Sequence, residues 1–127
     1  MVAALAAHLG IPLASRRLAL RDGRWINLDA ASESLSVLCE AWAHQGVARS
    51  AQQHKILKDA FKLALASRVL GTNPRLILLF SDEAATSKVR TGWADLALRE
   101  FGIEIHVVEL PEEHRQRVAA AQARQFR

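Results

Sequence analysis

Two short apolar runs, Leu76–Phe80 and Ile103–Leu110, flank a polar and helical stretch over residues 81–102, and this spacing constrains the fold most. Apolar runs of this length bounded by turn residues read as buried strands. A strand, a helix and a second strand in that order predict a right-handed parallel crossover. Ser81-Asp82-Glu83 starts the intervening helix, which is expected to run to about Phe101, where Gly102 stops it. Pro111-Glu112-Glu113 then opens a last helix, with proline at its first position, acids in its first turn and arginines towards its end.

The first half has a different grammar. Residues 1–9 read as a short helix closed by Gly10 and Pro12. Arg16–Leu20 and Trp25–Ala31 are joined by Arg21-Asp22-Gly23-Arg24, and Asp-Gly between two apolar runs is a strong hairpin signal. Residues 35–43 read as a third strand. A long helix follows from Ser50, a plausible N-cap, to Leu70, and Gly71-Thr72-Asn73-Pro74 ends it. Leu57, Ala60, Phe61 and Ala64 recur at helical spacing and are expected to form its packed face. The order is α-β-β-β-α-β-α-β-α in one α/β domain spanning residues 1–127. Residues 16–20, 25–31, 36–43, 76–80 and 103–109 are expected in one mixed sheet flanked by helices. The first three strands form an antiparallel meander and the last two arrive by parallel crossovers.

Half of the 127 residues are hydrophobic, enough for a core, but no apolar stretch approaches the length needed to span a bilayer. The lone cysteine, Cys39, excludes an internal disulfide. Met1–His8 lacks a basic start and is short for a signal peptide, so a cytoplasmic location is the expectation. The net charge of +4 is unevenly spread. Residues 1–48 and 76–127 are close to neutral. Residues 49–75 hold Arg49, Lys55, Lys58, Lys62, Arg68 and Arg75 against Asp59 alone. Lys55, Lys58 and Lys62 fall within about 60° of one another on the helix, with Gln52 beside them. Such a patch is either a footprint for a polyanion or a solvated helix face. Gln52, Lys55, Lys58, Lys62 and Arg49 are the candidate nucleic-acid contacts. No glycine-rich phosphate loop, nucleophile elbow or dinucleotide fingerprint occurs.

Two acids stand out because of their strands. Alternation puts Trp25, Asn27, Asp29 and Ala31 on one face, and Leu38, Glu40 and Trp42 on another. Hairpin-like pairing of these strands brings Asp29 next to Glu40. Two carboxylates held close are costly unless a cation or a proton joins them. Hard oxygen ligands of this kind suit Mg²⁺ or Mn²⁺. The plain alternatives are that Asp29 is a turn residue and that Glu40 pairs with Lys55, Lys58 or Arg24. Trp42 reads as packing and Cys39 as a small core residue on the face opposite Glu40. His44 and His54 flank a loop beside the acids. Ser81 and Asp82 sit at the carboxyl end of a predicted parallel strand, where they serve either a ligand or a helix cap.

The segment Ile26-Asn27-Leu28-Asp29-Ala30, then Val37-Leu38-Cys39-Glu40-Ala41-Trp42, then a basic helix containing Ala51-Gln52-Gln53-His54-Lys55, resembles the core of the restriction-endonuclease-like (PD-(D/E)xK) nucleases. The α-β-β-β-α-β order over residues 1–80 carries the resemblance as much as the short motif does. It implies a metal held by Asp29 and Glu40, with a lysine that orients or activates water. Trp42 stands where the motif has that lysine, and residues 1–9 lack the acid that the family's first helix often carries. Members whose basic residue comes from the following helix make Lys55 and Lys58 the replacements. The function implied is Mg²⁺- or Mn²⁺-dependent hydrolysis of phosphodiester bonds in DNA or RNA, by Asp29, Glu40 and Lys55 or Lys58. The alternatives are a catalytically inactive nucleic-acid-binding module that kept the fold, and a protein-interaction module. A homodimer is also implied, with Trp93 and its helix, and the final helix, as candidate seams.

Overall fold

The computed structural model describes residues 1–125. The chain begins with helix α1 (Val2–Leu9) and continues into a hairpin of β1 (Ala14–Ala19) and β2 (Trp25–Ala31). Asp22 and Gly23 have φ of 58° and 74°, the left-handed pair that a tight right-twisted hairpin demands, which is why Asp-Gly stands there. Strand β3 (Val37–Trp42) pairs antiparallel with β2. Helix α2 (Ser50–Leu70) crosses back, and β4 (Arg75–Phe80) joins β3 in parallel. Helix α3 (Gly92–Glu100) leads to β5 (Ile103–Val107), parallel to β4, and helix α4 (Glu112–Gln125) follows. The strand order is β1-β2-β3-β4-β5. The α/β class, the mixed sheet and its antiparallel-then-parallel plan therefore stand as read from sequence. No described helix is long and apolar enough to cross a membrane.

The sheet separates two cores. On one face Leu38, Trp42, Leu76, Leu78 and Phe80 pack against Ile56, Ala60, Leu63 and Ala66 of α2. On the other, Ala30, Val37, Cys39, Ile77 and Leu79 pack around Leu5 of α1. Strands β3 and β4 are thus covered on both sides, which explains the unbroken apolar run of β4.

Three local expectations are corrected. The helix expected from residue 81 to 101 is broken. Asp82 caps a single 3₁₀ turn, Glu83–Thr86, and α3 starts only at Gly92, whose φ of 64° prevents one continuous helix from running through it. Ser50 is the first helical residue of α2 rather than its cap: Arg49 holds that position, and its backbone N–H donates to Gln52 Oε1 at 2.8 Å. Phe61, expected in the packed face of α2, is 79% exposed, because the helix seats Ile56, Ala60, Leu63 and Ala66 on the sheet instead.

Candidate functional site

The site begins with an irregularity in β2. Ala14 pairs with Ala31 and Arg16 with Leu28, so two steps along β1 face three along β2. The extra residue falls at Asp29–Ala30 and makes a β-bulge, a device that re-aims side chains and ends pairing. Towards β3 the ladder holds only Ala30↔Cys39 and Ala31↔Leu38. Beyond that point the Asp29 side chain takes over: its Oδ2 accepts a hydrogen bond from the Ala41 N–H at 2.8 Å. Asp29 itself stays exposed. Glu40 lies one residue earlier on β3, between Leu38 and Trp42 on the α2 side, and is only 3% exposed. The two carboxyl groups are within hydrogen-bonding reach of each other.

Lysine enters from α2. Lys62 Nζ lies 2.6 Å from Glu40 Oε1 and donates to the Asn27 carbonyl at 2.9 Å. The ion pair is close, yet no hydrogen bond of ordinary geometry reaches Oε1. Burial first, and the hydrogen bond to Asp29 after it, raise the Glu40 carboxyl, Lys62 pulls it back only in part, and together they leave it at about 8. Glu40 therefore holds a proton near neutral pH unless more positive charge arrives. Asp59 is half-buried on the same flank of α2. Its carboxyl is raised, first by burial, against the opposing pull of Lys62 and with a further rise from Asp29.

Helix phase decides which lysine reaches the acids. At 100° per residue Lys55, Asp59 and Lys62 form one stripe, while Lys58 lies about 60° outside Lys55. The expectation that Lys55 or Lys58 meets Glu40 is corrected: Lys62 does. Lys55 sits 5.7 Å from the Trp42 ring centre, nearer the end of β3. Lys58 is exposed and lines a groove on the other flank of α2 together with His54. Gln52 is committed to the Arg49 N–H and approaches His44 Nδ1 at 3.4 Å. Arg49 is exposed at the start of α2.

The remaining candidates are mostly structural. Trp42 is buried and stacks on His44 with ring centres 4.4 Å apart, while its Nε1 finds no partner. Burial lowers the His44 pKa, with Lys55 adding to the effect. Cys39 is buried on the α1 side and its thiol is pushed up to about 12, by burial first and by Asp29 and Glu40 after it, so it is inert. Ser81 Oγ donates to the Ala43 carbonyl and accepts from Gln45 Nε2, and Asp82 accepts from the Gly46 and Ala84 N–H groups. Those bonds fasten the β3–α2 loop, and Asp82 takes the capping role that is one of its two readings. Asp59 escaped the sequence reading because a lone acid in a basic helix looks like charge balance. Its spacing from Lys55 and Lys62 was the available signal.

Asp29 and Glu40 offer hard oxygen donors, one exposed and one buried without a full set of partners, a chemistry that fits a small divalent cation. Among the described residues no group of three or more His, Cys, Asp or Glu side chains is arranged to hold a metal. Mg²⁺ commonly takes one or two carboxylates and completes its shell with water and substrate phosphate. Comparison of the chain with protein-family models, curated proteins and solved structures gives no match.

Proposed function

We propose that this chain is a metal-dependent nuclease of the restriction-endonuclease-like kind, hydrolysing phosphodiester bonds in DNA or RNA. The meeting of Asp29, Glu40 and Lys62 at the bulge where β2 and β3 part carries the reading. The α-β-β-β-α-β succession of residues 2–80, with β4 parallel to β3, supports it. Asp29 and Glu40 would hold Mg²⁺ or Mn²⁺, which supplies water acidified near neutral pH and offsets charge on the phosphate under attack. Lys62 has two roles. It steadies Glu40 in its charged form, and it presents an ammonium beside the acids for a non-bridging phosphate oxygen. The Ala41 N–H holds the Asp29 carboxylate towards the pair. The loss of the motif lysine at position 42 is then made good from the fourth turn of α2.

One observation favours a second reading, a binding module without catalysis. Lys62 already occupies Glu40, and the burial that raises this carboxyl opposes the charge a metal needs. Labelled single-stranded and duplex DNA and RNA, incubated with Mg²⁺ or Mn²⁺ at pH 8.5, separate the two. Cleavage abolished in Asp29→Asn and Glu40→Gln supports the nuclease. Binding without cleavage in the wild type supports the module.

We also propose a homodimer through the exposed flank of α2 and α3. Phe61, Trp93 and Phe101, all more than half exposed, line a groove of about 460 Å³, and Leu96 is exposed on α3. Aromatic side chains bury roughly 150–250 Å² each, so two such patches approach the roughly 1,200 Å² at which specific interfaces begin.

A further inference from the structure

The acids sit at one end of a strip that the functional reading leaves unused. Residues 16–24 hold Arg16, Arg17, Arg21 and Arg24 against Asp22 alone. None of these arginines makes an ion pair among the described residues, and Arg17, Arg21 and Arg24 are exposed. Arg75, Arg90 and Arg99, by contrast, pair with Glu104, Glu83 and Asp95.

Register gives this charge a direction. Ile26 and Leu28 join the core under α2, so Trp25 and Asn27 point to the opposite face of β2, while the bulge turns Asp29 back to Glu40 at the end of the strip. Arg17 pairs with Asn27 across the hairpin and shares that face. Its guanidinium lies 3.7 Å from the centre of the Trp25 ring, which is still 48% exposed. Arg17, Gly23, Arg24 and Trp25 line a shallow depression of about 360 Å³. From Trp25 to Asp29 is four residues, roughly 13 Å of strand.

We infer that the β1–β2 hairpin is the docking arm for a nucleic-acid strand. Arg17, Arg21 and Arg24 take its phosphates, the free part of the Trp25 ring stacks on a base, and the strand runs along β2 to the carboxylate pair. This rests on the nucleic-acid reading above and adds to it where the polymer lies. The occupant is chosen by charge and by the aromatic face: unpaired arginines beside an exposed indole are the elements of a single-strand platform. It also moves the main contact surface from the α2 lysines to the hairpin. Segment charge hid the arm, because Glu33 and Glu40, which lie outside the hairpin, cancel two of its arginines in number.

The test is fluorescence anisotropy with a labelled twelve-nucleotide single-stranded DNA and its RNA counterpart, in EDTA so that nothing is cut. Arg17→Ala/Arg24→Ala should weaken binding at least tenfold and reduce the salt slope by about 1.4, since each single-strand phosphate contact contributes about 0.7. Trp25→Ala should weaken it at least fivefold with the salt slope unchanged. Lys55→Ala/Lys58→Ala should stay within threefold of wild type. Circular dichroism checks that each variant folds, and Arg17→Lys, which keeps the charge, should retain the slope. Hairpin variants that bind like wild type, or a loss confined to Lys55→Ala/Lys58→Ala, overturn the arm even if the protein cuts. Tight binding through the hairpin with no cleavage under Mn²⁺ keeps the arm and removes the nuclease. A wild type that binds neither polymer removes both.

Discussion

The two flanks of α2 are built from one helix and are opposites. On one, Lys55, Asp59 and Lys62 lean over the widening gap between β2 and β3, and a lysine is drawn down to a buried glutamate. On the other, Leu57, Phe61 and Ala64 face α3 across an apolar groove, with Phe61 and Trp93 left in water. Both flanks depart from what folding alone asks for. A buried carboxyl that resists ionisation and an exposed phenylalanine each weaken or endanger an isolated domain. The difference teaches where to look for each kind of partner: a charged, hard-oxygen partner on the first flank, and an apolar surface on the second.

The largest expected effect breaks the polar flank by pH. Glu40 is raised in the folded chain from its ordinary 4.5 to about 8. The folded state therefore holds a proton that the unfolded state has released, and the stability linked to it is present below pH 4.5 and lost as pH rises through 8. The shift sets a ceiling of roughly 5 kcal/mol on this loss, at about 1.4 kcal/mol per pH unit. Urea melts between pH 5 and 9 should show stability falling over that window in the wild type, and a flatter profile in Glu40→Gln. A wild-type profile as flat as that of Glu40→Gln would remove the raised carboxyl from the account.

Next comes the ion pair. Lys62→Ala leaves Glu40 buried without its cation, a change that costs about 3 kcal/mol in a buried pair. The cost should be large at pH 8.5 and much smaller at pH 6, where Glu40 carries its own proton. The same variant should lower cleavage at least a hundredfold, whereas Lys58→Ala should leave it within threefold, because Lys58 points away from the acids. Equal losses from both lysines would mean that the two flanks share one role.

The smallest effect on folding belongs to the apolar flank. Phe61→Ser and Trp93→Ser alter exposed side chains and should change stability by no more than about 0.5 kcal/mol. Light scattering over a dilution series should nevertheless show dimer dissociation at least tenfold easier in each. A wild type that remains monomeric at high micromolar concentration removes the seam.

Much of this was legible in the sequence, for identifiable reasons. Asp22-Gly23 announced the hairpin because few residues tolerate two successive left-handed positions. The run at 76–80 announced a parallel strand because both faces of β4 are covered, and the run at 103–110 because an apolar stretch follows a crossover helix. Asp29 and Glu40 could be paired because alternation has a strict period. The bulge at Asp29–Ala30 had no such signal, since it inserts an ordinary residue and only the register with β1 reveals it. Lys62 was missed as the partner of Glu40 because the choice among three lysines depends on how α2 is rotated on the sheet. That rotation is set by Ile56, Leu63 and Ala66 together rather than by Leu57 and Phe61. The break before α3 lay in Gly92, whose positive φ cannot be told in advance from the glycine of a tolerated helix interior.

The central claim is that Asp29 and Glu40 together hold one divalent cation, and calorimetric titration of the whole protein with Mn²⁺ at pH 6.5, 7.5 and 8.5 tests it most directly. The account predicts a single site whose affinity rises close to tenfold per pH unit below about 8, as the ion displaces the Glu40 proton, and which disappears in both Asp29→Asn and Glu40→Gln. No binding at pH 8.5, or binding that survives either substitution, would contradict it.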